Sequence, residues 1–484
     1  MSGNTTDVIV IGGGTGGYST ALRAAHLGLD VTLVERELVG GTCLHRGCVP
    51  SKAMLHAAEL VDGVAEARER WGVKATLDSV DWSALVATRD DIVSRNHKGV
   101  EGQLSKAGVT VVRGTATLAG SRDVDVDAAA HGGRERWTAR RGLVLATGSR
   151  PRTLPGLEPD GEHVVTSDDA LFAPGLPGSV LVLGGGAIGV EYASFHRSMG
   201  AEVTLVEAAE RLLPLEDADV SRQLTRALKK RGITVLTGAC LVDAHRTGAG
   251  RPGGSGAGVE ARVQPARGAE TVLAVERLLV AVGRVPVTDG LGLAAAGVAT
   301  DERGHVPPAD WTTLETAVPG VHVVGDLLPP PSLGLAHASF AEGLVVAETL
   351  AGLSPRPVDY AAVPRVTYSS PQTASVGLSE AAARADGHEV VTNVLPLTAT
   401  AKGMVHGQGG MVKVVAEPGP DGRVLGVHLV GPHVSEMIAE SQLAVAWDAS
   451  PEDIAQHIHP HPTLSEAVGE AFLTLAGRGL HQHG

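Results

Sequence analysis

Twice in this chain a short apolar run opens into a glycine-rich turn and returns, through a second apolar run, to a glutamate. Residues 8–11 (VIVI) lead into GGGTGG, and residues 180–183 (VLVL) lead into GGGAIG. Gly12, Gly14 and Gly17 of the first copy correspond to Gly184, Gly186 and Gly189 of the second. The next apolar runs, 31–34 and 203–206, end in Glu35 and Glu207, each 23 residues after the first glycine of its copy. A short apolar run of this kind predicts a buried parallel strand, and the glycines open a helix. The first glycine permits the tight turn, the second lets a pyrophosphate approach the backbone, and the third lets helix pack on strand. The helix N-terminus then faces the anion, and the acid accepts hydrogen bonds from a ribose diol. One such fingerprint is weak, because any parallel sheet can carry a glycine-rich turn. Two at identical spacing imply two dinucleotides. At the second site Glu207 would repel a 2′-phosphate and favours NAD over NADP, with Arg211 four residues on pulling the other way.

Other apolar strands end where a cofactor would lie. Residues 143–148 (LVLATG) finish in Thr147 and Gly148, and 278–284 (LLVAVGR) contain Gly283. Residues 321–326 (VHVVGD) place Asp326 just past a strand, where ligands of parallel sheets collect, although a helix N-cap is the competing reading. Residues 123–136 and the Gly/Arg/Pro-rich 246–258 read as hairpin tips or flexible loops. From about residue 350 the composition changes. The alternating segments 410–415 and 424–430 predict antiparallel strands, and helices are expected over 435–446 and 464–476.

A length of 484 residues fits about three domains. The formal net charge of −14 removes nucleic acid as a partner, since a phosphate backbone needs a basic face. No stretch approaches the ~18 apolar residues of a membrane span, which predicts a soluble cytoplasmic protein with no membrane partner. Three cysteines, Cys43, Cys48 and Cys240, are too few for a disulfide framework.

Residues 40–52, GGTCLHRGCVPSK, set Cys43 and Cys48 five positions apart. Gly47 could let the sulfurs meet, and Pro50 is expected to begin a helix through residues 53–59, leaving Cys48 near a helix N-terminus that favours thiolate. The pair reads as redox chemistry. Zinc would need two more soft ligands, and an inert structural disulfide is the other alternative. Cys240, in the apolar run 235–242, is expected to be a buried spectator. No metal site is expected.

GGTCLHRGCVPSK between two such fingerprints resembles the pyridine nucleotide-disulfide oxidoreductase family, over nearly the whole chain. The resemblance implies an α/β fold of two Rossmann-like dinucleotide-binding domains, one for FAD and one for NAD, plus a C-terminal α+β dimerisation domain. The expected boundaries are 1–149 for FAD, 150–276 for NAD, 277–349 completing the FAD domain and 350–484 for dimerisation. It implies that Glu35 takes the adenosine ribose of FAD and that Gly325-Asp326 contacts its ribitol. Lys52 and Glu191 match a pair beside the flavin. Residues 458–467, IHPHPTLSEA, resemble those of the family's lipoamide-oxidising members and imply His461 as base with Glu466 orienting it. The chemistry agrees, because a thiol near pKa 8.5 needs a base to become a nucleophile at neutral pH. His457, His459 and His461 alternate, however, and such a ladder could also bind metal or be solvated.

The implied reaction oxidises dihydrolipoamide to lipoamide and reduces NAD⁺. Cys43 would face the substrate and Cys48 the flavin, with His461 and Glu466 supplied by the partner subunit of a homodimer. The protein partner would be a lipoyl-bearing acyltransferase or lipoyl carrier protein of a 2-oxoacid dehydrogenase or glycine cleavage complex. An NAD(P)H-dependent reductase of glutathione or mycothiol type, or a silent flavoprotein subunit, are the alternatives. His45-Arg46 and the proline run 329–331 depart from the family pattern.

Overall fold

The computed structural model describes residues 4–128, 133–248 and 258–481. Contacts divide the chain into two compact units: Met1–Ala53, Ser83–Arg152 and Arg284–Tyr360 form the first, and Met54–Trp82, Thr153–Gly283 and Ala361–Gly484 the second.

In the first unit β1 (Asn4–Ile11) is followed by α1 (Thr15–His26) and β2 (Val31–Glu35). β1 pairs in parallel with β2, Val8 opposite Val31, and with the strand Arg134–Leu145, Ile9 opposite Leu143. Thr110–Leu118 adds in parallel beyond β2, and Val321–Val323 beyond Arg134–Leu145. Strands this central are apolar on both faces, and Val8, Ile9, Val10 and Leu33 are fully buried. Each such side chain contributes about 1.5–3 kcal/mol. Asp123–Ala128 pairs antiparallel with both Thr110–Leu118 and Arg134–Leu145, so most of the expected 123–136 excursion is strand; its tip, 129–132, lies outside the described residues.

The cysteine segment forms two helices, α2 (Gly41–His45) and α3 (Cys48–Trp71). α3 begins two residues before Pro50 and runs twelve beyond residue 59, so both expected ends were short. Proline is tolerated in the first turn because the first four N–H groups lack helical partners. Gly63 costs about 1 kcal/mol against alanine and does not stop a run rich in Ala, Glu and Arg. α4 (Trp82–Lys106) is the next long helix.

The second unit repeats the first motif. Strand Ser179–Leu183, helix Ala187–Ser198 and strand Glu202–Glu207 sit in a five-stranded parallel sheet, between Thr234–Thr237 at one edge and Arg277–Val280 and Val164–Thr166 at the other. Ala239–Thr247, Gly258–Pro265 and Thr271–Val275 form an antiparallel three-stranded sheet, the 249–257 part of the expected loop lying outside the described residues. Cys240 is exposed, against expectation. The period-two alternation of that sheet buries Ala239 and turns Cys240 outward.

Residues 365–431 give a five-stranded antiparallel sheet in which Val424–Gly431 lies between Gln372–Gly377 and Met411–Ala416. Helices Val434–Ala446 and Glu466–Leu475 cover it, burying Ile438, Val468 and Phe472. No helix among the described residues is long and apolar enough to cross a membrane.

Candidate active site

The two glycine loops are superimposable in their constraints. Gly12 has φ +102° and Gly184 φ +110°, and a Cβ on either would lie 2.3 Å from the carbonyl oxygen of Ala146 or Ala281. A Cβ on Gly17 or Gly189 would lie 1.8 Å from the oxygen of Gly12 or Gly184, so helix and turn touch only because both third glycines lack one. A Cβ on Gly14 or Gly186 would meet nothing within 4 Å. These two residues cap their helices without any side-chain hydrogen bond, so no side chain of the cap occupies the N-terminal N–H groups that an anion would use.

The two acids are also matched. Glu35 accepts from Gly13 N at 2.6 Å and from Glu37 N at 2.7 Å; Glu207 accepts from Gly185 N at 2.5 Å and from Ala209 N at 2.6 Å. Each carboxylate braces its own glycine loop and keeps lone pairs for a ribose diol. A cavity of about 380 Å³ opens beside Glu35, lined by Val39, Leu104, Val109 and Arg113 among others. These features fit a dinucleotide in each copy.

Cys43 and Cys48 are thiols in the structure, joined by a side-chain hydrogen bond. That bond first, and burial second, raise the Cys43 thiol far above the ordinary range, while the Lys52 charge opposes the shift. Cys48 stands at the first position of α3, where a helix favours anionic sulfur. The loop that carries Cys43 is pressed on the first fingerprint: Gly40 N donates to Gly13 O at 2.7 Å, and a Cβ on Gly41 would lie 2.7 Å from Gly14 Cα.

Asp326 lies in the short 3-10 turn Gly325–Leu327 and caps no α-helix. Its Oδ2 accepts from Ser149 Oγ at 2.5 Å, and Arg284 Nε donates to the same Oγ at 2.7 Å. Burial raises the Asp326 carboxyl, against the Ser149 hydrogen bond and the Arg284 charge. Behind it, the fully buried Glu342 accepts from Gly325 N, Ser332 Oγ and Tyr360 Oη and so fixes the turn. Sequence reasoning missed Ser149, Arg284 and Glu342. A glutamate within the otherwise apolar 340–347 was the available signal for the last. Thr147 Oγ1 donates to Val287 O at 2.6 Å, and Gly148 and Gly283, with φ +69° and +107°, have nothing within 4 Å of a notional Cβ. Glu191 is buried and accepts from Tyr368 N at 2.9 Å.

In the second unit Glu466 Oε1 lies 2.7 Å from His461 Nδ1, and its Oε2 accepts from Thr463 N at 2.7 Å. Burial works against the Glu466 carboxylate, yet the Thr463 N–H and His461 together hold it below the usual range. The His461 side chain is 72% exposed, so an imidazole oriented at Nδ1 offers Nε2 to a substrate. His459 is bonded instead to Glu440, Nε2 to Oε1 at 2.6 Å, so the alternating histidines serve different carboxylates. Among the described residues no group of three or more His, Cys, Asp or Glu is placed to hold a metal.

Residues 6–343 match the family model for pyridine nucleotide-disulphide oxidoreductases, and 363–472 match the dimerisation domain of the same family. The chain is 40% identical to dihydrolipoyl dehydrogenase of Bacillus subtilis strain 168, covering 98% of this chain and 99% of that protein. It is 41% identical to dihydrolipoyl dehydrogenase of Chlorobaculum parvum, covering 98% of each. Among solved structures, LpdA of Mycobacterium tuberculosis superposes with a TM-score of 0.85 at 26% identity, over 96% of this chain and 99% of that one. The HOCl-induced flavoprotein disulfide reductase RclA of Escherichia coli, as its Cu(II) complex, gives 0.82 at 26%, over 97% and 99%.

Proposed function

We propose that this chain, which belongs to the pyridine nucleotide-disulphide oxidoreductases, oxidises protein-bound dihydrolipoyl groups to lipoyl groups with NAD⁺ as the terminal acceptor. The observation that carries the reading is the hydrogen-bonded Cys43–Cys48 pair on a loop seated against an open dinucleotide fingerprint. In this reading residues 1–149 and 277–349 hold FAD, 150–276 hold NAD, and 350–484 form a homodimer.

In the oxidised enzyme Cys43 and Cys48 are joined as a disulfide. His461 takes a proton from one substrate thiol, and Glu466 stabilises the imidazolium that forms. The substrate thiolate attacks Cys43, making a mixed disulfide and expelling Cys48 as thiolate. The second substrate thiol attacks the substrate sulfur of that mixed disulfide, closing the lipoyl ring and releasing Cys43, which leaves as the thiol carrying that second proton. Two electrons and two protons have then moved from substrate to enzyme. FAD, bound through Gly12, Gly14, Gly17, Glu35, Thr147, Gly148 and Asp326, supplies the two-electron link from the dithiol to NAD⁺. Lys52 and Glu191 tune its electronics. Gly184, Gly186, Gly189, Glu207 and Gly283 hold the nicotinamide dinucleotide, with Glu207 on its ribose diol. The His461–Glu466 pair acts on the cysteine pair of the other copy in the dimer. The partner is a lipoyl-bearing acyltransferase or carrier protein, in the cytoplasm.

Purified flavin-loaded protein is expected to form NADH from NAD⁺ and dihydrolipoamide, and His461→Ala to lower that rate about a thousandfold. Failure to oxidise dihydrolipoamide, with NADPH-dependent reduction of glutathione or mycothiol disulfide in its place, overturns the reading.

A further inference from the structure

His45, between the two cysteines, and His97, far along α4, reach one and the same oxygen. His45 Nε2 lies 2.9 Å from the Val39 carbonyl oxygen and His97 Nδ1 3.1 Å from it. A carbonyl oxygen can only accept, so both nitrogens carry hydrogen and both lone pairs of that oxygen are used. The two rings meet edge to face with centroids 5.0 Å apart, and His97 Nε2 lies 3.3 Å from Glu101 Oε1. The neighbouring backbone is tied as well: Gly40 N donates to Gly13 O at 2.7 Å, and Arg46 donates to Glu37 Oε2 at 2.5 Å. Residues 37–46 therefore close into a ring that carries Cys43, anchored from outside by His97.

We propose that His45 and His97 form a clasp on the Val39 carbonyl that holds α2, and with it Cys43, within reach of Cys48, and so sets how readily the pair is reduced. Neither imidazole reacts; both are positioning residues. A thiol held close to its partner has a high effective concentration, which favours the disulfide over the dithiol. Releasing α2 lowers that concentration and makes the disulfide easier to reduce. A tenfold fall corresponds to about 30 mV upward in the two-electron potential.

The test rests on the cysteines cycling between disulfide and dithiol, as the proposed function requires, and needs no substrate. Flavin-loaded protein is equilibrated anaerobically with reduced and oxidised dithiothreitol in varied ratio, quenched, and its free thiols are labelled and counted. The exposed Cys240 labels in every state and serves as reference. His45→Ala with His97→Ala is expected to shift the disulfide–dithiol equilibrium about tenfold toward dithiol. His45→Gln with His97→Asn puts amide N–H donors where Nε2 and Nδ1 stood, and is expected to stay within about threefold of wild type. An alanine pair that titrates like wild type, or an amide pair that shifts as far as the alanine pair, overturns the clasp. Should the double alanine variant lose flavin, His97→Ala alone leaves the cysteine loop unaltered in sequence. It must shift in the same direction, and an unmoved equilibrium there is equally fatal. A wild-type protein that never forms the Cys43–Cys48 disulfide refutes the proposed function itself, whereas a wild type that titrates while the variants do not move refutes only the clasp.

Discussion

In both glycine loops the third glycine leaves no room for a methyl group and the second faces open space, and in both a later residue returns to the loop. Gly40 N donates to Gly13 O at 2.7 Å in the first copy, and Leu213 N to Gly185 O at 2.9 Å in the second. Beyond that return the two copies diverge. In the first copy Gly40 and Gly41 lead at once into α2 and Cys43, with Gly41 packed on Gly14. In the second, Leu213 takes a left-handed φ of 46° and the chain passes to Asp217, which caps the helix Ala218–Lys230 and brings no redox group. The glycine loop thus specifies a dinucleotide, and the segment laid against it specifies what chemistry is done there.

The largest break in this symmetry is expected from Cys48→Ser, because the sulfur belongs to the first copy alone. Dihydrolipoamide-dependent NADH formation should fall by about 10⁴-fold, while flavin stays bound and NADH still reduces an artificial dye. Equal loss of both activities with flavin retained would contradict the division of labour. Gly17→Ala and Gly189→Ala test the symmetry itself: since each methyl meets a carbonyl oxygen at 1.8 Å, each should cost about 3 kcal/mol in denaturant unfolding. Gly14→Ala and Gly186→Ala, facing open space, should each stay within about 0.5 kcal/mol of wild type. A large difference between the copies would show that only one loop is built as described. A change smaller than that at Gly17 or Gly189 is expected from Glu207→Ala, which should narrow the NAD⁺ over NADP⁺ preference in kcat/KM about tenfold, or ~1.4 kcal/mol, with Glu35→Ala leaving that ratio unmoved.

What the sequence made legible was local. The glycine spacing, the strand that precedes it and the acid that ends the next strand are all set within one βαβ unit, so periodicity and turn chemistry suffice to draw the fold. α3 runs to Trp71, beyond the expected residue 59, because the Ala, Glu and Arg that follow are strong helix formers. Cys240 was misplaced because its run is apolar enough to look buried, whereas only the pairing of Ala239–Thr247 with Gly258–Pro265 decides which face looks outward. Ser149, Arg284 and Glu342 meet the Asp326 turn from three distant segments, and no spacing rule reaches across 177 positions from Ser149 to Asp326. His97 escaped for the same reason: its role depends on α4 passing the Val39 carbonyl.

That the first loop holds the flavin and the second the nicotinamide dinucleotide is tested most directly by filling the open space beside each. Gly14 and Gly186 have extended φ of −69° and −74°, which valine accepts. Gly14→Val should therefore purify without flavin. Gly186→Val should keep its flavin and, under anaerobic titration, be reduced by dihydrolipoamide at two electrons per chain but not by NADH. A Gly186→Val protein that loses flavin, or one that NADH reduces as readily as wild type, would contradict the assignment.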